Sequence, residues 1–168
     1  EEEEGGAAAT VGALLRSLPG AQVLLEMMKE WKDPELQEII FNCTFSEDAG
    51  NDDQMTDNDK APLMIYEDPA GHLFLKRLII WEASQASTQE TSGFSEAFVQ
   101  RLEERPEFVK RMIQTNRGSF VFEALLKAER ISSKVKKLLK PHSSLLKDPE
   151  AEGGFKSKVA KALHDLLH

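Results

Sequence analysis

The sequence predicts an all-α fold of stacked helix pairs, an α-solenoid, and three observations predict it. Apolar residues recur at three- and four-residue spacing along most of the chain, and no stretch alternates as a strand would. Proline and capping residues punctuate these stretches, at Asp33-Pro34, Asp68-Pro69, Pro106 and Pro141. One motif also recurs. LPGAQVLLEMM (Leu18–Met28), DPAGHLFLKRLI (Asp68–Ile79) and TNRGSFVFEALL (Thr115–Leu126) each read as a turn, a glycine, two residues and an apolar helix. The glycines are Gly20, Gly71 and Gly118, 51 and 47 residues apart. Imperfect self-similarity at this spacing is the signature of a helical repeat array. The alternative is an ordinary bundle in which several helices happen to begin with glycine. A degenerate fourth copy is GGFKSKVAKALHDLL, Gly153–Leu167.

The central element is Asp68–Trp81. Asp68 is an N-cap whose carboxylate accepts from the first turn, and Pro69 follows where a missing N–H costs nothing. Leu73, Phe74, Leu78 and Trp81 fall at helical spacing, and Leu75, Ile79 and Ile80 widen the apolar surface. Lys76 and Arg77 mark its open strip. In chain order, residues 1–9 read as a disordered acidic leader, and 10–168 as the repeat domain. Thr10 is expected to cap a helix through Leu18, broken by Pro19-Gly20. Ala21–Trp31 is the first repeat helix, with Val23, Leu24, Met27 and Met28 apolar, and Glu35–Phe45 follows. Residues 46–60 (SEDAGNDDQMTDNDK) form an acidic loop expected to be disordered. Its aspartates do not follow the EF-hand ligand pattern. Ala61–Tyr66 is an extended segment or a single turn.

Gln85–Gly93 is a linker. Ser92 or Ser95 is expected to cap the next helix, with Phe94, Phe98, Val99 and Leu102 inward. Pro106–Gln114, Ser119–Ala128 and Ile131–Lys140 are three further helices. Pro141 stops the last of these, Leu145 and Leu146 suggest one more turn, and Phe155–Leu167 closes the chain.

At 168 residues the chain can bury a sizeable core. No apolar run is long enough for a membrane span. The chain opens EEEE without methionine and reads as a fragment of a longer protein or a processed chain. The single cysteine, Cys43, allows no internal disulfide and reads as a small buried hydrophobe. His72, His142, His164 and His168 share no metal-ligand spacing, and no cofactor is expected. No phosphate loop, nucleophile elbow or zinc-protease motif is present, so the reading is not that of an enzyme.

Charge is more informative. Residues 1–68 carry 17 acidic and four basic side chains, a balance of −13, whereas residues 69–168 carry 12 and 17, a balance of +5. Lys76, Arg77, Arg101, Arg105, Lys110, Arg111 and Arg117 form one cationic group. Lys127, Arg130, Lys134, Lys136, Lys137 and Lys140 form a second. Lys127, Arg130, Lys134 and Lys137 advance by three or four residues, so they make one cationic ridge if the two helices carrying them are continuous. Such a ridge neutralises phosphates without sequence choice.

The glycine, two variable residues, apolar pair and following leucine resemble the second helix of a Pumilio (PUF) repeat. DPAGHLFLKRLI followed by NRGSFVFEALL (Asn116–Leu126) is similar to the C-terminal CPL region of the nucleolar Puf-A/Penguin group, from about Ala61 to His168. That resemblance implies the C-terminal end of a longer solenoid of three-helix PUF-like repeats. It implies a nuclear, mainly nucleolar protein in large-subunit ribosome biogenesis that binds RNA or DNA. The expected partners are RNA or DNA and other ribosome-assembly proteins, with the chain expected as a monomer and no membrane involved. The base-facing positions of a PUF repeat correspond to Ala21, Gln22 and Leu25; to His72, Leu73 and Lys76; and to Ser119, Phe120 and Glu123. Only Ser119 with Glu123 matches a base-reading pair, and Phe120 is expected in the core. The other two sets depart from the pattern, which points to phosphate contact rather than a base code. The nucleic-acid contacts expected are Lys76, Arg77, Lys110, Arg111, Arg117, Lys127, Arg130, Lys134 and Lys137. The rival reading is a protein-interaction scaffold.

Overall fold

The computed structural model describes residues 2–46, 63–85, 93–147 and 158–167. These are helices joined by turns, with no strand among them. They fall into two compact units, Glu1–Phe74 and Leu75–His168. Residues 69–74 are uncharged, so the structural boundary coincides with the charge change: the first unit carries −13 and the second +5.

In the first unit, α1 (Glu2–Leu15) packs on α2 (Leu18–Trp31) and α3 (Pro34–Phe45). Helix α1 begins in the stretch expected to be a disordered leader, and it stops before Leu18. Ala7, Ala8 and Ala9 have the highest intrinsic helix propensity and carry the helix back past Thr10. Thr10 is therefore no cap; its hydroxyl donates to Gly6 O within the helix (2.9 Å). Pro19 and Gly20 do not break a helix but stand in the first turn of α2, behind the N-cap Ser17. Asp33 caps α3, accepting from the N–H groups of Glu35 (2.9 Å) and Leu36 (3.4 Å). Leu15, Leu24, Leu25, Met28, Ile40 and Phe41 form the core with Met64, Ile65 and Tyr66, which lie in the coil and turn before Asp68. Val23, on the same helix as Leu24 and Leu25, is exposed.

Cys43 is half-buried rather than buried, and its thiol donates to Ala8 O (3.3 Å), tying α3 to α1. Burial pushes the thiol above its ordinary pKa, outweighing the lowering by Arg16 and by the backbone. Less thiolate is then present at pH 8, so disulfide-exchange labelling of the native chain is expected to run about tenfold slower than in urea. Equal rates would show that the thiol is freely accessible.

Helix α4 (Pro69–Ser84) contains the boundary between the units. Phe74, Leu75, Leu78 and Ile79 are buried, while Leu73 and Trp81 are half-buried. Its open strip is wider than Lys76 and Arg77 suggest, because Ile80 is 51% exposed.

The second unit holds α5 (Phe94–Glu104), α6 (Pro106–Ile113), α7 (Asn116–Lys127) and α8 (Glu129–Leu139). A 3₁₀ turn at Lys140–His142, α9 (Ser143–Lys147) and α10 (Lys158–Leu167) complete it. Helix α7 is the hub, packing on α6, α8 and α10; α8 also meets α5, and α10 meets α9. Phe98, Phe108, Phe122, Val135, Leu139 and Leu163 are buried in the core. Ser95 does not cap α5. Ser95 is buried inside the helix, and the Glu82 carboxylate accepts from Phe94 N (2.6 Å) and Ser95 N (2.7 Å) behind Gly93. Ser92, the acidic loop from residue 47 onward, and residues 148–157 of the closing segment lie outside the described residues.

The recurring motif is one corner built three times. Ser17, Asp68 and Thr115 each accept, through a side-chain oxygen, from the N–H of the glycine three residues on: Gly20 (3.1 Å), Gly71 (3.0 Å) and Gly118 (3.1 Å). Each cap's own N–H donates to the carbonyl three residues earlier, at Leu14 (3.1 Å), Ile65 (3.3 Å) and Met112 (3.2 Å). That same carbonyl, six residues before the glycine, is what a Cβ on the glycine would strike. Glycine is required because the incoming backbone occupies the space of a side chain.

Candidate nucleic-acid interface

The expected cations all belong to the second unit, so their arrangement can be read within one body. On α8, Ile131, Val135 and Leu139 are buried and fix the helix orientation. The opposite side carries Arg130, Lys134 and Lys137, all exposed, with Lys136 at its margin and Lys140 one step beyond. Eleven residues at 1.5 Å each give a cationic face of about 16 Å.

Lys127 does not belong to it. Ala128 adopts φ −78°, ψ 95°, outside the helical region, so α7 and α8 are separate helices. The ridge therefore loses Lys127 and gains Lys140. Lys127 instead pairs with Glu123 on its own helix (2.5 Å), while Lys134 pairs with Glu96 on α5. The Lys134 hydrogen bond holds the Glu96 carboxyl below its usual range, outweighing a slight desolvation, with help from the charges of Lys134 and Arg130. Arg130 and Lys134 thus share one acidic neighbour.

A second group gathers on α7. Lys76, from α4, stands over the Phe120 ring at 5.1 Å. Phe120 is half-buried rather than core, and Arg117 lies one turn before it on α7. A cation over a ring face is stabilised by the ring quadrupole. This pairing could not be read from residues 44 apart in the chain. A third group is Lys110 with Arg111, both exposed on α6. Half-burial lowers the pKa of His142, and the charge of nearby Lys110 lowers it further, so the imidazole favours its neutral form there. Arg77 lies on the exposed strip of α4.

The base-reading pair is not assembled for reading. Ser119 is fully buried, and its hydroxyl donates to Ile113 O (3.2 Å). Glu123 is half-buried and engaged by Lys127. In the other two sets, Ala21 and Leu25 are buried, and Lys76 is turned onto Phe120. The burial of Ser119 follows from the corner: the residue after the glycine faces the end of α6.

Sequence reasoning placed Lys136 and Lys140 in the basic run but not among the contacts. A helical projection of α8 extended through its helical C-cap, Lys140, would have included them, since both fall away from Ile131, Val135 and Leu139. Among the described residues no three His, Cys, Asp or Glu side chains are grouped to hold a metal ion, and no single helix is long and apolar enough to cross a membrane. Comparison with protein-family models, with curated proteins and with solved structures finds no match to this chain.

Proposed function

We propose that the second unit binds the phosphate backbone of RNA or DNA through α8, with little sequence selectivity. The observation that carries this reading is the α8 face: Arg130, Lys134, Lys137 and Lys140 on one side of a helix, with Glu96 as the acidic group drawn to it. A row of cations three and four residues apart suits successive phosphates and offers no donor–acceptor pattern for base edges. Lys76, Arg77, Lys110, Arg111, Arg117 and Lys127 would add contacts at their own positions, and the Phe120 ring offers a stacking surface beside Lys76. The burial of Ser119 favours phosphate contact over a base code.

The three identical corners support the finer fold reading, a PUF-like α-solenoid. Nucleolar location and work in large-subunit ribosome assembly, beside other assembly proteins, would go with that resemblance and are part of the same proposal.

The test is fluorescence anisotropy with a structured RNA and a duplex DNA at about 50 and 200 mM salt. Four phosphate contacts would give a log–log salt slope of about −3 to −4. The Arg130→Glu/Lys134→Glu/Lys137→Glu/Lys140→Glu variant, with its helical circular dichroism intact, is expected to lose at least about a hundredfold in affinity at the lower salt. No binding by the native chain at low salt, or binding untouched by these changes, would overturn the reading in favour of the protein-interaction scaffold.

A further inference from the structure

The three corners set α2, α4 and α7 in the same register, so their side-chain rows can be compared position by position. Three and seven residues after the glycine, α4 carries Phe74 and Leu78 and α7 carries Val121 and Leu125, all of them buried. The same positions on α2 are Val23, 55% exposed, and Met27, half-buried. One turn further on, Trp31 is 65% exposed. Val23, Met27 and Trp31 are four residues apart and make one continuous apolar row. It borders an open depression of about 460 Å³ lined by these three with Gln22, Glu26 and Glu30. Helices α4 and α7 bury the first two positions of this row, whereas α2 leaves Val23 exposed and Met27 half-buried. A contiguous apolar strip rimmed by polar groups is how an interaction site presents itself on a folded domain.

We propose that this face of α2 docks an amphipathic helix of a partner protein, one whose apolar stripe is bordered by lysine or arginine. Helical form follows from the row itself. Its four-residue spacing suits the ridge of another helix, and the equivalent residues of α7, Val121 and Leu125, are buried within their own unit. The basic border follows from charge. Glu26 and Glu30 run beside the apolar row, Lys29 is paired to Glu26 (3.0 Å), and Lys32 follows Trp31 at the end of the helix. The whole unit carries −13. A second copy of this chain fits poorly, because a symmetric pairing would set each Glu26–Glu30 row against the other. Trp31, with the largest exposed apolar surface of the row, would be the anchor.

The test uses the Trp81→Phe chain, in which Trp31 is the sole tryptophan. Two designed helical peptides with the same leucine stripe are titrated in, one bordered by Lys and Arg and the other by Glu. The basic peptide is expected to shift Trp31 emission to the blue and to bind at least about tenfold tighter than the acidic one. Glu26→Lys/Glu30→Lys is expected to reverse that preference. Trp31→Ala, followed by anisotropy of labelled peptide, is expected to weaken binding about tenfold or more. No Trp31 response to the basic peptide up to about 1 mM would overturn the proposal. So would equal binding of the two peptides, or sedimentation showing that the chain already covers Trp31 by self-association. RNA binding by α8 lies in the other unit and is read separately, so neither result decides the other.

Discussion

Replacing Gly118 by alanine is expected to destabilise the chain by about 3 kcal/mol, the upper range for an overpacked site. In an open helix the same change would stabilise by about 1 kcal/mol, since glycine is the poorer helix former. Two features reverse the sign here. A Cβ at Gly118 overlaps the Met112 carbonyl oxygen and lies 2.8 Å from Met112 Cα, both backbone atoms that cannot swing away. It also lies 2.7 Å from Thr115 Oγ1, the acceptor that caps α7, so relief in that direction costs a hydrogen bond. Gly12→Ala supplies the contrast. Gly12 is inside α1, and its Cβ would meet Cys43 Sγ at 3.7 Å, an ordinary contact. That variant is expected to gain about 0.5–1 kcal/mol. Urea unfolding followed by helical circular dichroism measures both. If the two glycines respond alike, close backbone approach is not what holds glycine at the corners.

Glu82→Ala should cost about 2 kcal/mol. The Gly93 N-cap has no side chain to satisfy the first turn of α5, and Glu82 does so from α4, accepting at 2.6 and 2.7 Å from Phe94 and Ser95. Bonds from backbone N–H groups to a charged acceptor are among the stronger ones, and a lost cap alone costs about 1 kcal/mol. Glu82→Gln keeps an acceptor without the charge and is expected to lose about half as much. Amide exchange separates this from a general loosening: Phe94 and Ser95 should exchange faster in Glu82→Ala, well before the buried amides around Phe98. Unchanged exchange at Phe94 and Ser95 would mean that the carboxylate does not cap α5 in solution.

What the sequence made legible was whatever depends on local pattern. The apolar spacing, Asp33, Asp68 and the recurring glycines located the helices after each of them, because caps and periodicity act within a turn. The function of the glycines was half legible. They read as helix-starting turns, yet they stand inside the first turn, where the preceding segment presses on them, and that contact cannot be read from composition. Thr10 and Ser95 misled because a serine or threonine before an apolar run is a cap only if the helix begins there. Alanines extended α1 past the first, and a distant glutamate took the place of the second. The cationic site divided in the same way. Arg130, Lys134 and Lys137 share a face, as their spacing implies. Lys127 fell away because one non-helical residue, Ala128, rotates everything before it. The pairing of Lys76 with Phe120 depends on tertiary packing and left no trace in the pattern.

The corners also bear on how fast the chain finds its fold. The bonds common to all three lie between residues three apart, from the cap to the carbonyl before it and from the glycine back to the cap. Loops that short close on a timescale of tens of nanoseconds and cost little chain entropy. Three such nuclei are spread along the sequence, so each helix junction can adopt its native bend before any distant partner arrives. A chain assembled from junctions of this kind has low contact order where it matters most, and its refolding rate should be set by the docking of preformed corners rather than by the search for them.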